Sequence, residues 1–498
     1  MIFNSIEFAI FLPLVFLLYW LVFDRLIRNC SCQLKLQNAF ILLSSYLFYG
    51  WWDWRFLVLI AFTSFCSWGS GILMQRVGVK YDSSQTDNEV KVNKVRKSIA
   101  AANIVINLLI LAIFKYYNFF VSEFARLFSI THDGLLLKII LPVGISFYTF
   151  QALSYSIDVY KNKIKPTNDI IAFFAFIAFF PQLVAGPIER ATNLLPQFQK
   201  RREFDYDTAA DGIRQVLWGL FKKIVVADNC AVFVNYVFST QDNQNGCNLL
   251  LAAILFTFQI YGDFSGYSDI AIGTAKMFGI RLMRNFKTPY FSRDIAEFWR
   301  RWHISLTTWF RDYVYIPLGG SRVSKAKIVR NTFVIFLLSG LWHGANWTYI
   351  AWGAYHAVLF LPLILAGRNR KYTNQVAEGR IFPTFREAGQ MLLTFFLAVF
   401  GWIIFRSESI SLARDYVCGM WQPGTLKAVY RCFTMWQVRA PMLFALFMLV
   451  VEWFQRDKEH GLQMDNMSWP LRYLIYVVLL IIIVCYFSQP VTFIYFQF

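Results

Sequence analysis

The feature that most restricts the fold of this chain is the repetition of long apolar segments from its first residues to its last. They lie at 5–23, 38–50, 56–74, 99–120, 139–157, 169–187, 213–238, 248–264, 331–346, 347–366, 387–405, 440–455 and 471–487. Several approach the roughly 20 apolar residues that a helix needs to cross a bilayer, and lipid favours helices because they satisfy their own backbone. Only 16% of the residues are charged, against roughly 25% in soluble domains. The sequence predicts an all-α, polytopic transmembrane protein with about 11–13 spans.

Two stretches interrupt this pattern. Three prolines and a glycine break the apolar run at 169–199, and basic residues alternate with aromatic ones at 281–330. Irregular backbone at membrane depth persists only where it is buried in protein or lines a cavity. We therefore expect re-entrant and interfacial helices in both places, around a central tunnel. No internal repeat or linker divides the chain, so a single membrane domain over 1–498 is predicted.

The net charge of +18 comes from 48 lysines and arginines against 30 acidic residues. In a membrane protein such an excess is typical of cytoplasmic loops and requires no nucleic acid as a partner. Basic residues follow the first apolar segment and recur at 75–98. The positive-inside rule then places the N-terminus outside the cytoplasm, in a multi-pass protein of the cytoplasmic (inner) membrane.

Histidines are the candidate residues for chemistry, because ionisable side chains in membrane segments are costly and commonly functional. His132 and His460 fall in polar loops and are expected to be solvated. His343 stands where an apolar helix ends, near Gly344, before a second apolar segment starts. Its imidazole must be hydrogen-bonded or face water. It either performs chemistry or pairs two helices.

His303 lies in the stretch DIAEFWRRWHISLTTWFRDYVYIPLGG, at 294–320, which predicts one amphipathic helix. Its apolar face would hold four residues at three- and four-residue spacing, Trp299, His303, Leu306 and Phe310. A polar side chain on that face points into the protein. It is either functional or a structural hydrogen-bonding group at a helix crossing. The residues alone assign no role to His356.

A neutral imidazole can act as a general base toward a hydroxyl near pH 7. Acyl transfer from a thioester to an alcohol needs such a base, a polarised carbonyl and exclusion of water. The sequence contains no nucleophile elbow, zinc-binding helix, P-loop or dinucleotide-binding pattern, and its eight cysteines lack the spacing of metal ligands. Acyl transfer without a metal is therefore favoured, while a transporter and a scaffold subunit stay open.

Several segments resemble the membrane-bound O-acyltransferases, in the branch of the alginate O-acetylase membrane subunit. They are MIFNSIEFAIFLPLVFLLYW at the start, FFPQLVAGPIER at 179–190, the block at 261–322, LWHGANWTYIAWGAYH at 341–356 and FIYFQF at the end. The region 261–356 is the most specific to the family. The D-alanyl transfer protein of teichoic acid synthesis looks like a more distant branch whose members are typically shorter.

The resemblance implies that an acetyl group passes from a cytoplasmic thioester, with acetyl-CoA as the expected donor, toward hydroxyls of an extracytoplasmic polysaccharide. An acetyltransferase partner of the SGNH-hydrolase type would complete the transfer, and no bound cofactor is expected. The family pattern makes His343 catalytic and places a second site histidine at His303. D-alanyl transfer to a cell-wall polymer is the alternative within the family.

Two basic stretches could meet the phosphates of such a donor, or could simply mark cytoplasmic loops. They contain Arg281, Arg284, Lys287 and Arg293, and Arg322, Lys325, Lys327 and Arg330.

Overall fold

The computed structural model describes residues 1–26, 32–80, 86–130, 134–184, 186–423, 425, 435–464, 467–487 and 493. These residues form helices, turns and loops, and no strand occurs among them. They group into two compact units, one of 1–212 with 271–283 and the other of 213–270 with 284–498. The prediction of one membrane domain is not decided by this grouping and stays a prediction.

Seven helices among the described residues are long and apolar enough to cross a membrane. They are Ile6–Phe23, Arg55–Gly78, Val90–Phe128, Gly246–Met277, Trp347–Leu365, Phe385–Arg406 and Trp436–Phe454. The all-α, polytopic fold is therefore confirmed. The remaining apolar segments form shorter or interrupted helices, so the number of about 11–13 spans and the central tunnel stay predictions.

The first unit contains α1 (Ile6–Leu18), α2 (Gln33–Gly50), α3 (Arg55–Lys80), α4 (Thr86–Leu111), α5 (Tyr117–Phe128), α6 (Ile145–Tyr160), α7 (Ile170–Ala178), α8 (Phe180–Leu183) and α9 (Ala191–Phe198). Helix α1 continues as a π-helical segment over Tyr19–Leu26, and another π-helical segment, Ala112–Tyr116, joins α4 to α5.

A seam of neutral polar side chains joins α3, α4 and α6. Asn103 Nδ2 donates to Ser156 Oγ at 2.6 Å and to Ser67 Oγ at 3.3 Å, and the hydroxyls of Ser70 and Ser156 are 3.2 Å apart. All four side chains are buried. Such hydrogen bonds hold helices together where apolar surface gives no driving force for association. We call these four residues the amide–hydroxyl seam.

The interrupted stretch at 169–199 is helical but broken, as predicted. Helix α7 ends at Ala178, and α8 starts again at Phe180. Pro181 has no N–H to continue the hydrogen-bond pattern of α7, and the free N–H of Phe180 donates to Ser45 Oγ at 3.1 Å. The break is fully buried, so its irregular backbone is shielded by protein.

The second unit contains most of α10 (Tyr206–Leu220), α11 (Asp228–Ser239), most of α12 (Gly246–Met277), α13 (Ile295–Arg301), α14 (Ile304–Phe310), α15 (Lys325–His343), α16 (Trp347–Leu365), α17 (Phe385–Arg406), α18 (Ile410–Gly419), α19 (Trp436–Phe454) and α20 (Trp469–Cys485). A π-helical segment, Phe221–Ala227, joins α10 to α11, and a second one, Arg311–Tyr315, continues α14. The 281–330 stretch forms the short helices α13 and α14 and the start of α15. The re-entrant or interfacial position of the helices in both interrupted stretches stays a prediction.

Two consecutive lysines are buried in the π-helical segment after α10. Lys223 Nζ lies 2.7 Å from Asp228 Oδ1 and 2.8 Å from Asp263 Oδ1. Lys222 Nζ lies 2.5 Å from Asp269 Oδ2. Burial of charge is tolerated only with such pairing. The two carboxylate oxygens of Glu452 accept from the Tyr261 hydroxyl at 2.8 Å, and Glu452 also lies near Lys222. We call the following residues the ionic cluster: Lys222, Lys223, Asp228, Asp263, Asp269 and Glu452.

Candidate active site

The predicted helix break beside His343 is confirmed. His343 is the last residue of α15, Gly344 is extended, and α16 begins at Trp347. The side chain of Asn346 caps α16 by accepting from the N–H of Thr348 at 3.0 Å. The break therefore follows from the extended Gly344, which ends α15, and from the Asn346 cap, which starts α16.

Glycines let α15 and α16 pack closely on either side of this break. A Cβ atom at Gly340 would collide with the carbonyl group of Tyr349, and one at Gly353 would collide with the carbonyl group of Phe336. Only glycine allows the two backbones to approach this closely. The close packing holds the C-terminal end of α15, and with it His343, against α16.

The single amphipathic helix predicted around His303 is wrong. Helix α13 ends at Arg301, α14 begins at Ile304, and His303 has a φ of +43°, in the left-handed region. The backbone groups at the break are paired with residues distant in sequence. The N–H of Ile304 donates to Asn285 O, and the N–H of Lys287 donates to Arg301 O, both at 2.9 Å. Periodicity reports only local spacing, so it could not show this pairing.

The structure brings the two predicted histidines together. The ring centroids of His303 and His343 are 6.5 Å apart, and the side chains are 1% and 3% exposed. The indole of Trp342 contacts both rings, at 5.7 Å from His303 and 5.0 Å from His343. The two imidazoles therefore share one buried location within the second unit. We call His303 and His343 the histidine pair.

Aromatic side chains surround the histidine pair. Phe264 lies edge-on to His303 at 4.6 Å, while Trp352 and Phe405 lie 5.1 Å and 5.3 Å from His343. His303 lies outside the seven candidate spans, and burial lowers its pKa to about 3. Desolvation disfavours the charged imidazolium, so His303 is neutral at pH 7.

Asn285 is the polar side chain that holds His303. Its Oδ1 lies 3.1 Å from His303 Nδ1 and accepts from the Ser305 N–H at 3.3 Å and from the Ser305 hydroxyl at 2.9 Å. Its Nδ2 donates to Ser268 Oγ at 3.2 Å. Sequence reasoning missed Asn285, because nothing in the local pattern marks it. Only the fold brings it to His303.

His356 is buried close to the histidine pair. Its ring lies 5.0 Å from both Trp299 and Trp352, and Trp352 also contacts His343. Neither ring nitrogen of His356 has a hydrogen-bond partner among the described residues. His356 therefore lies in the same aromatic surroundings, and the geometry assigns it no direct role.

Several basic residues considered as phosphate ligands are already engaged by protein groups. Arg293 pairs with Glu297 at 3.0 Å, and Arg301 pairs with the same carboxylate at 2.7 Å. Arg284 donates to the carbonyl groups of Phe286, at 2.6 Å, and Lys458, at 2.9 Å. The exposed members of the two basic stretches are Arg281, Lys287, Arg322, Lys325, Lys327 and Arg330.

The two remaining histidines are His132 and His460. His132 lies outside the described residues. The expectation that His460 is solvated is wrong, because His460 is 4% exposed and its Nδ1 accepts from the N–H of Leu462 at 3.3 Å. The polar loop folds back so that Leu462 is buried as well. Across the described ranges, no three His, Cys, Asp or Glu side chains are grouped to hold a metal ion.

The ionic cluster is the second feature that sequence reasoning missed. The signal was present, because two adjacent lysines, Lys222 and Lys223, interrupt an apolar segment. Histidines are candidates because ionisable side chains in membrane segments are costly and commonly functional. Charged residues at such positions are candidates by the same rule.

Comparison with known proteins places this geometry in context. The model of the membrane-bound O-acyltransferase family matches residues 162–392, which include the histidine pair and Asn285. A probable alginate O-acetylase of Pseudomonas aeruginosa is 39% identical over 85% of this chain and 76% of its own length. A peptidoglycan O-acetyltransferase of Helicobacter pylori is 31% identical over 84% of this chain and 80% of its own. A teichoic acid D-alanyltransferase of Bacillus subtilis is 30% identical over 53% and 69%.

Proposed function

Because the chain belongs to the membrane-bound O-acyltransferase family, and is a multi-pass membrane acyltransferase, we propose that it transfers acetyl groups from a cytoplasmic thioester toward hydroxyls of an extracytoplasmic polysaccharide. The observation that carries this proposal is the histidine pair, with ring centroids 6.5 Å apart in a buried aromatic environment. Two imidazoles at this separation can act on the same reacting groups while water is excluded.

In the proposed reaction, His343 accepts the proton of the acceptor hydroxyl as its oxygen attacks the thioester carbonyl carbon. A carbon–oxygen bond forms, the carbon–sulfur bond breaks, and the leaving thiolate takes up the proton. His303 orients or polarises the reacting groups. The contact of the Trp342 indole with both rings supports this role, because it places His343 and His303 in one buried location where both can face the same reacting groups.

The proposed donor is acetyl-CoA, presented from the cytoplasmic side. Its phosphates would meet exposed basic residues, of which Lys287, Arg322, Lys325 and Lys327 are examples. Arg284 and Arg293 are less suited to this task, because protein groups already bind their guanidinium groups. The protein is proposed to lie in the inner membrane, with its N-terminus outside the cytoplasm.

The proposed acceptor is a carbohydrate polymer outside the membrane, reached through a partner acetyltransferase of the SGNH-hydrolase type. The names of the alginate and peptidoglycan relatives support a polysaccharide acceptor. The D-alanyltransferase relative supports a second candidate, in which the group transferred to a cell-wall polymer is D-alanyl. The larger coverage of the acetylating relatives favours acetyl.

The proposal is tested by measuring ester-linked acyl groups on cell-surface polysaccharide in a deletion strain that carries the intact protein or His343→Ala. We expect the acetyl ester to be lost with the variant, at matched membrane levels. His460→Ala is the control, since it removes another buried histidine outside the site. Mass spectrometry of the released acyl group separates acetyl from D-alanyl.

Retention of the ester by His343→Ala at the wild-type amount would contradict the role of His343. Loss of the ester with both variants would indicate damage to the fold. Purified protein that never transfers label from acetyl-CoA, even with the partner present, would contradict the proposed donor.

A further inference from the structure

The orientation of the Asn285 amide is determined by its neighbours. A backbone N–H can only donate, so the Asn285 atom that faces the Ser305 N–H must be the carbonyl oxygen. The Ser305 hydroxyl at 2.9 Å donates to the same atom, and the opposite end, Nδ2, donates to Ser268 Oγ. Both serine hydroxyls can donate or accept, so they fit this orientation, and the Ser305 N–H decides it.

This orientation selects one tautomer of His303. Two acceptor atoms facing each other at 3.1 Å would repel, so the Nδ1 atom next to Asn285 Oδ1 must carry the proton. In a neutral imidazole, the other nitrogen then holds the lone pair. The Ser305 hydroxyl is 3.5 Å from Nδ1 and is already committed to Asn285 at 2.9 Å, so it does not compete for this role.

We propose that Asn285 is a positioning residue that fixes His303 in the Nδ1–H tautomer, so that Nε2 acts as a hydrogen-bond acceptor. The proposal rests on the proposed function and narrows it. Of the two actions left to His303, polarising the thioester carbonyl would require an Nε2–H donor. Accepting a hydrogen bond from an O–H or N–H group of a substrate requires the Nε2 lone pair. His303 therefore orients a substrate and leaves the carbonyl to other groups.

The direct test is nuclear magnetic resonance of the purified full-length protein with ¹⁵N-labelled histidine, at pH 7. His303→Gln assigns the His303 signals by their loss. We expect a protonated Nδ1 and an unprotonated Nε2 in the wild type. Asn285→Leu should give a mixture of tautomers or the opposite one, whereas Asn285→Asp should keep the Nδ1–H form, since a carboxylate oxygen still accepts from Nδ1.

Kinetics give a second readout that a purely structural role would not move. We expect Asn285→Leu to lower kcat about tenfold or more, because loss of the group that fixes the tautomer of a functional histidine strongly lowers kcat, with a smaller change in KM. Asn285→Asp should retain more activity than Asn285→Leu. As the pH is lowered, the activity of Asn285→Asp should also begin to fall at a higher pH than that of the wild type. The reason is that a carboxylate favours protonation of His303, which removes the acceptor.

Asn331→Ala is the matched control, since Asn331 is a buried asparagine that binds the carbonyl groups of Leu318 and Gly320 and does not touch a histidine. It should leave the tautomer of His303 unchanged. A wild-type His303 protonated at Nε2 would overturn the proposal without any variant. So would an Asn285→Leu protein with the wild-type tautomer.

The proposed function fails separately. Full acetyl transfer by both His343→Ala and His303→Ala would contradict the chemical roles proposed for the two histidines. The resonance experiment would still report whether Asn285 sets the tautomer of His303.

Discussion

The two units of this protein bury polar groups of different kinds. The first unit joins its helices through the amide–hydroxyl seam, in which every partner is neutral. The second unit buries the ionic cluster, an arginine–glutamate–arginine group around Glu297, and the histidine pair. The first unit also buries charged residues, namely Asp158, Glu189 and Arg202. The second unit holds the larger network of buried ion pairs and, among the described residues, the buried imidazoles.

The difference indicates what each interior tolerates. A neutral amide that loses its partner leaves a modest penalty, because hydrogen bonds between membrane helices contribute only about 0.6 kcal/mol on average. A buried ion that loses its partner leaves a charge without compensation, which destabilises by about 3–5 kcal/mol. Substitutions in the two units should therefore differ in kind as well as in size.

The largest effect should come from the histidine pair. Removing a general base costs about 10²–10⁴-fold in rate, and two residues that act on one transition state are not additive. We therefore expect His343→Ala with His303→Ala to lose about as much activity as His343→Ala alone. The measurement is transfer of labelled acetyl from acetyl-CoA by purified protein. Losses that multiply would show that the two histidines act independently.

Lys223→Met should give the next largest effect, on stability. It leaves the carboxylates of Asp228 and Asp263 buried without their cation, so we expect unfolding free energy to fall by about 3–5 kcal/mol. Thermal unfolding in detergent measures this. Adding Asp228→Asn and Asp263→Asn to Lys223→Met should restore much of the loss. An unchanged unfolding temperature in the single variant would refute the importance of the pairing.

Glu189 sharpens the comparison, since it is one of the charged residues that the first unit buries and it lies outside the candidate spans. Its carboxylate accepts from Asn193 Nδ2 at 2.6 Å and from the N–H of Met283, and burial raises its pKa to about 7. Between the ordinary value of 4.5 and about 7, the folded protein binds more protons than the unfolded chain. Stability should therefore fall as pH rises through this window, by at most about 1.4 kcal/mol per pH unit.

Glu189→Gln should remove that dependence. The test compares unfolding temperatures of the wild type and the variant between pH 5 and 8 in one detergent. Equal slopes for the two proteins would mean that Glu189 does not titrate in this range.

The smallest effect should come from the amide–hydroxyl seam. Asn103→Ala removes the donor to Ser156 and Ser67, and we expect a loss of about 0.6–1.7 kcal/mol in stability with little change in the rate of transfer per folded molecule. Unfolding temperature and specific activity are measured on the same sample. A large loss of specific activity would break the comparison, because it would give the first unit a part in the chemistry.

The helix break at His343 was predictable from sequence, since Gly344 follows the histidine directly and the capping Asn346 comes two residues after Gly344. The break at His303 was not, because its backbone partners belong to residues 285–287 and the local spacing still suits a helix. Asn285 was missed for the same reason. Its contact with His303 depends on tertiary structure, which apolar periodicity does not encode.

The identity of the histidine pair could be predicted, but its geometry could not. An apolar context left His303, His343 and His356 as candidates, and the family pattern selected His343 and His303. The separation of the two rings depends on tertiary packing. The ionic cluster shows the reverse case. Lys222 and Lys223 were visible as charges in an apolar segment, and only their partners required the structure.

The ionic cluster also imposes an order on synthesis. Lys222 and Lys223 leave the ribosome before α12, which carries Asp263 and Asp269, and long before Glu452. A lysine at the centre of an apolar helix costs about 2.5–3.5 kcal/mol to insert into a bilayer by itself. Asp228 emerges in the same segment as Lys223, but the carboxylate nearest to Lys222 belongs to Asp269 of α12. We therefore expect Lys222 to be buried only once α12 has emerged, so that these helices would leave the insertion machinery together and not one at a time.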